Sequence, residues 1–454
     1  METLMTYPAW VKEYKKKGTS IVRNRGRYYL YEYSTVWSKE KKRAKKVTGK
    51  YLGVITEEHG LIPPGQSRRG RVPKGASTLK QEPKVEAEFL DHFEEVNDER
   101  ATRNRLYSVD EILLVALAAV ICGAEGWQDI ENFGKSKLNY LRKFFDFKHG
   151  VPSDDTFRRF FRCLEPNIFK ELFREWIEEL ALSTGSKVIA IDGKANRRSY
   201  DGDGNMIHMV SAFAVEARIV LGQEKVDDKS NEITAIPKLL EALDIAGHII
   251  TIDAMGCQFE IANHIVKKEA DYVFSLKGNQ GNLCDDVVTF FKDSELKKQC
   301  KSFKACDKAH GRLETRECFV CNDVQWLRDR HPKWQTIKSI VQVNATRNLK
   351  DTATHESRHF ISSLEVTPEE MLRAIRFHWG IENSLHWILD MSFNEDYSRI
   401  RKGNAPQIMA IMRHMALNLL QKGSEKGQSI KGLRKLCAWS DDILDKILIH
   451  TKSS

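Results

Sequence analysis

The sequence predicts an α/β protein with a central, partly parallel sheet, preceded by an all-helical region and a small basic β module. Three observations carry that prediction. Between residues 187 and 279, apolar runs alternate with amphipathic segments in the order β-β-β-α-β-α-β, and buried strands joined by helical crossovers imply a sheet covered on both faces. Residues 86–184 read as helical throughout. Residues 15–58 contain runs with the two-residue period of strands. At 454 residues, 41% hydrophobic and 30% charged, the chain is too long for one core and has the composition of a soluble protein of about two to four domains.

The N-terminal module is expected over residues 1–60. RYYLYEYSTVW (27–37) alternates so that Tyr29, Tyr31, Tyr33, Thr35 and Trp37 share one side, and TSIVRN (19–24) and KKVTGKYLGVI (45–55) flank it. Residues 1–80 hold 19 Lys or Arg against 6 Asp or Glu, a balance of +13 in a chain of net charge +9, so the remainder sums to −4. A basic arm on a near-neutral body suits an anionic partner, nucleic acid foremost. Such a three-stranded sheet either lies in a DNA groove, as β-ribbon readers do, or uses its tyrosines as its own core. Residues 61–85 are rich in Pro, Gly, Ser and basic groups without periodicity, which reads as a linker.

In the helical region, 86–184, SVDEILLVALAAVICG opens with Ser108 and Glu111 in capping-box positions and closes at Gly123. In GVPSDDTFRRFFRCLEP, Ser153 is the expected N-cap of a helix on which Arg158, Arg159 and Arg162 recur at helical spacing. An Arg-studded helix among short helices fits a helix-turn-helix-like DNA reader. An ordinary bundle with solvated arginines fits equally well.

The chemistry begins at KVIAID (187–192), a buried-strand run ending in Asp192. Two strands about a turn at Glu216–Ala217 follow, then a helix in EITAIPKLLEALD (232–244). GHIITIDAMG (247–256) is a second apolar strand, ending in Asp253, and after a further helix DYVFSLKGN (271–279) leads into a basic turn. Ligands gather at the carboxyl ends of such strands. A lone aspartate there is ordinarily a turn former, but two after the near-identical runs VIAID and IITID point to a site. Crowded carboxylates repel unless they share a divalent cation, and Mg²⁺ is commonly held by one or two of them. The third carboxylate is Glu382 in HWGIENSLHWILD (378–390), where His378, Glu382 and His386 fall on one helical face at steps of four. Two ions in such a site suit phosphodiester chemistry, activating a nucleophile and steadying the leaving oxygen.

VIAIDGK, HIITIDAMGCQ, DYVFSLKGNQ, HGRLETR (310–316) and HWGIENSLHWILDMSFNED, in this order, resemble insertion-sequence DDE transposases of the H-repeat-associated type. The resemblance spans roughly residues 86–425. It implies an RNase H-like catalytic core over residues 185–425, with a largely β insertion at about 281–367 before the glutamate helix; residues 426–454, beyond it, read as a C-terminal helical tail. It makes Asp192, Asp253 and Glu382 the catalytic, metal-holding triad, with two Mg²⁺ ions per site and Mn²⁺ as a substitute. It also implies double-stranded DNA (transposon ends and target) as partner and a bacterial cytoplasmic setting; cutting two ends together makes a homodimer on DNA reasonable, although no heptad or obvious interface segment shows it. Relatives in the wider superfamily carry Tyr, Arg and Lys around the glutamate, where this chain has Ile375, His378 and Leu389. DNA contacts are therefore sought at Lys194, Lys277, Asn279, Arg312, His378, His386, Arg399, Arg401 and Lys402, and at Arg158 and Arg159. Insertion strands are expected at 314–322, 336–348 and 356–366, with His310, Arg316, Arg347 and Arg358 as further basic groups. The implied activity is cleavage at transposon ends followed by strand transfer. A nuclease without strand transfer and a DNA-binding protein that no longer cuts are the alternatives.

Nine cysteines and an N-terminus without a sustained apolar segment argue against a disulfide framework. Cys300, Cys306, Cys318 and Cys321 fall within 22 residues, but their spacing fits no common zinc module; reduced, partly buried thiols are expected. The longest apolar run, 112–124, is too short to span a bilayer.

Overall fold

The computed structural model describes residues 8–17, 19–24, 27–38, 43–57, 60–62, 106–181, 186–200, 206–227, 231–309, 312–349 and 352–449. They belong to two compact units, residues 1–82 and 83–454.

In the first unit a short helix, α1 (Ala9–Lys12), precedes an antiparallel sheet of β1 (Thr19–Asn24), β2 (Arg27–Ser38), β3 (Arg43–Thr56) and β4 (Gly60–Ile62), in that order. This is one strand more than the sequence suggested. Its core is Val11, Ile21, Tyr28, Leu30 and Ile55, so the buried positions of β2 are even-numbered. Tyr29 and Tyr31 are only half-buried, which corrects the reading that made the odd-numbered tyrosines the core. The side chains of Tyr33, Thr35 and Trp37, and residues 63–85 of the linker, lie outside the described residues.

The second unit opens with α2 (Val109–Ile121), whose N-terminus carries the Ser108–Glu111 capping box. Ten consecutive residues of α2, Ile112–Ile121, are buried. A helix apolar all round must be covered on every side, so α2 sits at the centre of a bundle rather than on its surface. Around it lie α3 (Trp127–Ser136), α4 (Leu138–Leu141), α5 (Asp154–Cys163, capped by Ser153) and α6 (Pro166–Ala181). Their core is continuous with that of α14 (Ala405–Lys422), α15 (Ile430–Trp439) and α16 (Asp441–Ile449), and with one face of the central sheet. The N-terminal and C-terminal helices of this unit therefore share one interior.

The sheet has nine strands in the order β10-β11-β12-β13-β9-β8-β5-β6-β7. β5 (Val188–Tyr200), β6 (Met206–Ala214) and β7 (Ile219–Lys225) form an antiparallel meander. After α7 (Glu232–Ala242), β8 (Ile249–Ile252) pairs parallel to β5; after α8 (Phe259–Lys267), β9 (Asp271–Leu276) pairs parallel to β8. Helices α7 and α8, with α9 (Gly281–Lys292), cover the opposite face around Ile189, Ile191, Ile250 and Phe274.

The stretch before the glutamate helix starts as helix, in α9 and α10 (Ser294–Lys298). It then continues the sheet through β10 (Lys301–Ala309), β11 (Arg312–Cys321), β12 (Ser339–Leu349) and β13 (Thr352–Ser362), with α11 (Gln325–Arg330) between the hairpins. β10 escaped the sequence reading because it is an edge strand, and its Lys301, Lys304 and Lys308 break the apolar pattern, as edges commonly do. β13 pairs antiparallel to β9, with His359 opposite Leu276. Residues 352–358 therefore run beyond the carboxyl end of β9. That overhang forms one wall of a cleft. The cysteine cluster straddles the sheet: Cys318 packs on one face and Cys321 on the other.

Candidate active site

The parallel β5–β8 ladder ends with Ile191 opposite Ile252. Asp192 and Asp253 are thus the next residues on adjacent strands, which lie about 4.8 Å apart in a sheet. Backbone register, not chance proximity, brings the two carboxylates together. Asp192 Oδ1 accepts from the Gly193 amide at 3.0 Å. Asp253 Oδ1 accepts from Met255 N at 3.0 Å and Gly256 N at 3.3 Å, so it forms its turn and still lines the cleft.

Gly193 explains part of this geometry. A Cβ there would collide with the Glu232 carboxylate and lie 2.7 Å from His208 Nε2. Glu232 and His208 are themselves paired at 2.9 Å. This pair was not anticipated from sequence, because Glu232 follows the Asn231 N-cap and reads as an ordinary first-turn acid.

Glu382 arrives from the other side. Helix α12 (Pro368–Ile381), opened by a Thr367–Glu370 capping box, runs into a π turn, Glu382–His386, and then α13 (Trp387–Phe393). The Trp387 amide donates to the Glu382 carbonyl five residues back. In a pure α-helix a four-residue step overshoots a full turn by about 40°. The wider π turn absorbs that excess, and such turns concentrate at functional sites. Two stripes consequently stay aligned over eight residues. Ile381, Leu385 and Leu389 enter the core, each burial being worth about 1.5–3 kcal/mol, while Glu382, His386 and Asp390 face the sheet edge. Gly380 permits the approach, since a Cβ there would lie 2.5 Å from Val215 Cγ1.

The three carboxylates line one cleft of about 380 Å³, with Thr251, Lys277, Arg358, His378 and Trp379 among its walls. His386 Nδ1 lies 3.4 Å from Glu382 Oε2 and 3.7 Å from Asp192 Oδ2. Burial, and then the charge of Glu382, push the Asp192 carboxyl up to about 8, with Asp253 and Glu232 adding to the pressure. Glu382 moves the other way, held below the usual glutamate range by its hydrogen bond to His386. Such a cluster is short of positive charge. Among the described residues, ligand atoms of Asp192, Glu382 and His386 lie within 4.8 Å of one another, and Asp253 opens onto the same space. Carboxylate oxygens of this density fit a hard divalent cation.

Comparison with known proteins places the chain in a family. The family model described as "Transposase DDE domain" matches residues 183–419, just over half the chain. One described as "DDE_Tnp_1-associated" matches residues 90–177. The chain belongs to the DDE transposase family. Among its relatives is the "H repeat-associated putative transposase YhhI" of Escherichia coli strain K12, 42% identical over 73% of this chain and 90% of that one. Another is the "Putative transposase YncI" of Escherichia coli O157:H7, 40% identical over 79% of this chain and 94% of that one.

Within this transposase, several residues picked from sequence as DNA contacts are engaged elsewhere. Lys194 is partly buried and paired with Asp390, Glu395 and Asp396, which balance its charge. His386 is buried between the carboxylates, and the Asn279 amide donates to the Ala254 carbonyl, bracing the loop after Asp253. His378 Nδ1 meets Thr251 Oγ1 at 3.1 Å, and burial lowers its pKa from the usual histidine value. Arg401 Nε donates to the Arg198 carbonyl at 3.0 Å. Arg158 and Arg159 both pair with Asp155 on their own helix.

Lys277 is exposed at the mouth of the cleft, and Arg399 and Lys402 are exposed on the loop before α14. Arg312 opens β11 with its side chain outside the described residues, as is all of His310. Arg358 donates from Nε to Glu356 Oε1 at 2.6 Å and lies 4.6 Å over the Trp379 ring, on the cleft that Glu382 also lines. Only the overhang of β13 past β9 could have revealed that placement. Among the described residues, no helix is long and apolar enough to cross a membrane.

Proposed function

We propose that this protein is a metal-dependent DNA transposase that cleaves phosphodiester bonds at the ends of its element and joins the freed ends to target DNA. The observation that carries the reading is the convergence of Asp192, Asp253 and Glu382, from two strand ends and a π turn, in one cleft walled by Lys277 and Arg358. The strand order β9-β8-β5-β6-β7, with β5, β8 and β9 parallel, supports reading this sheet as an RNase H-like core extended by the hairpins of the insertion.

Asp192, Asp253 and Glu382 would hold two Mg²⁺ ions, or Mn²⁺ in their place. When bound, the ions lower the pKa of water and stabilise the leaving oxygen of an in-line displacement. Asp192 supplies an oxygen ligand from the middle of the site, and His386 orients Glu382 toward it. Lys277 and Arg358 attract the phosphate backbone and set its register without reading bases. The 3′-hydroxyl left by cleavage attacks a phosphodiester of target DNA in the same cleft, so no covalent protein intermediate is needed. The basic N-terminal module and the exposed Arg399 and Lys402 add sequence-independent affinity that falls steeply with salt. Two ends cut together favour a homodimer on DNA.

The test uses plasmid carrying the gene with its flanking DNA, purified protein and Mg²⁺ or Mn²⁺. Breaks at the element boundaries with joined products, both lost in Glu382→Gln while DNA binding persists, are expected. Equal loss of cleavage and binding in that variant would sink the catalytic assignment. Cut products without joined ones would leave a nuclease.

A further inference from the structure

We infer that Lys194 is a positioning residue that sets the register of the glutamate-bearing helix against the strand carrying Asp192. The inference rests on the metal-site reading above.

Asp192 and Lys194 are two residues apart on β5, so their side chains emerge on the same face about 7 Å apart. On the facing helix His386 and Asp390 are four residues apart, a rise of about 6 Å. The two spacings match, and the contacts fall accordingly. Asp192 Oδ2 faces His386 Nδ1 at 3.7 Å, and Lys194 Nζ meets Asp390 Oδ1 at 2.7 Å. Acid on strand meets base on helix, then base on strand meets acid on helix. A slip of one helical turn would set Asp192 against an acid in either direction: opposite Glu382, with His386 against Lys194, or opposite Asp390. The pairing therefore favours one register, the one in which His386 stands between Asp192 and Glu382.

The second point of the clamp is strongly built. The Lys194 side chain is 11% exposed and also reaches Asp396 Oδ1 at 3.0 Å and Glu395 Oε2 at 3.5 Å. Glu395 is itself buried against Arg413 at 3.4 Å. Beyond α13 the same strand keeps hold of the chain: the Arg198 guanidinium lies 4.7 Å over the Tyr397 ring. Among the described residues, Lys194 is the cation paired with Asp390. Breaking one partner of a partly buried pair such as this one leaves a poorly compensated charge, whereas removing both together is often tolerated. That asymmetry separates a role in register from a role in stability.

The experiment measures Mn²⁺ binding to the full chain by the loss of the free-ion electron paramagnetic resonance signal, well below each variant's unfolding temperature. Wild type, Lys194→Met, Lys194→Arg, Lys194→Met with Asp390→Leu, and Asp192→Asn are compared, each also for DNA affinity as a function of salt. Lys194→Met should weaken Mn²⁺ binding by about tenfold or more, as loss of a group that orients metal ligands does. Lys194→Arg should recover most of it, and DNA affinity should hold. If Lys194→Met does not fold, the double variant removes the Lys194–Asp390 pair, leaves Glu395 with Arg413 and Asp396 with Arg197, and carries the same expectation. Wild-type Mn²⁺ binding in Lys194→Met or in the double variant would overturn the inference, whatever the change in unfolding temperature. So would intact Mn²⁺ binding with a salt slope reduced by about one, the mark of a lost phosphate contact. Unchanged Mn²⁺ binding in Asp192→Asn would instead overturn the metal-site reading itself.

Discussion

Asp192→Asn should make the metal-free protein more stable while destroying its activity. The Asp192 side chain is 15% exposed and shares its surroundings with Glu382, Asp253 and Glu232, which with burial raises its carboxyl from 3.8 to about 8. A carboxyl whose folded pKa lies above its unfolded value contributes stability that is fully present below the unfolded pKa and is lost as pH rises through the folded one. The window therefore runs from about pH 4 to pH 8. Each unit is worth about 1.4 kcal/mol, so the ceiling at pH 7 is about 4 kcal/mol. Asparagine keeps the shape and the acceptor for the Gly193 amide but carries no charge to desolvate. Urea unfolding in the presence of a chelator, at steps from pH 4.5 to pH 8, should show Asp192→Asn gaining on wild type as pH rises. Adding Mg²⁺ should close the gap from the wild-type side, because the cation neutralises the cluster only when Asp192 is present. A variant less stable than wild type at pH 8 without metal, or a gap indifferent to pH, would refute the reasoning.

Two further outcomes follow from single features of the fold. Gly380→Ala gains about 1 kcal/mol of helix propensity but forces a methyl onto Val215, and overpacking of this kind costs about 1–3 kcal/mol. A lowered unfolding temperature together with weaker Mn²⁺ binding is expected, and a raised unfolding temperature would show that α12 has room to spare. His414 is buried, and burial pushes its pKa down to about 3. Its neutral ring contributes stability above about pH 6.5 that is lost as pH falls toward 3, at up to about 1.4 kcal/mol per unit. His414→Gln should flatten the acid limb of the stability curve, and an unchanged limb would place the acid sensitivity elsewhere.

The sequence by itself determined the order of elements in the central sheet, because apolar runs and amphipathic helices differ in period. It also determined the helix starts at Ser108 and Ser153, where capping chemistry is local. It singled out Asp192, Asp253 and Glu382, since strand-end aspartates after matching runs and a glutamate in a Trp-rich helix are unusual enough to notice. It did not show what the side chains around them touch. Lys194, Asn279 and His386 look like free polar groups in one dimension, yet each is committed to a partner 25 to about 200 residues away. The β2 tyrosines show the same limit: strand periodicity gives two faces, and only packing against Val11 and Ile21 decides which is buried. Tertiary structure alone decided that the insertion would extend the central sheet, because β13 finds β9 through a pairing that no local pattern encodes. The π turn belongs with these: nothing in ENSLH requires it, and it forms where two stripes at four-residue spacing must both meet their partners, one in the core and one at the strand end.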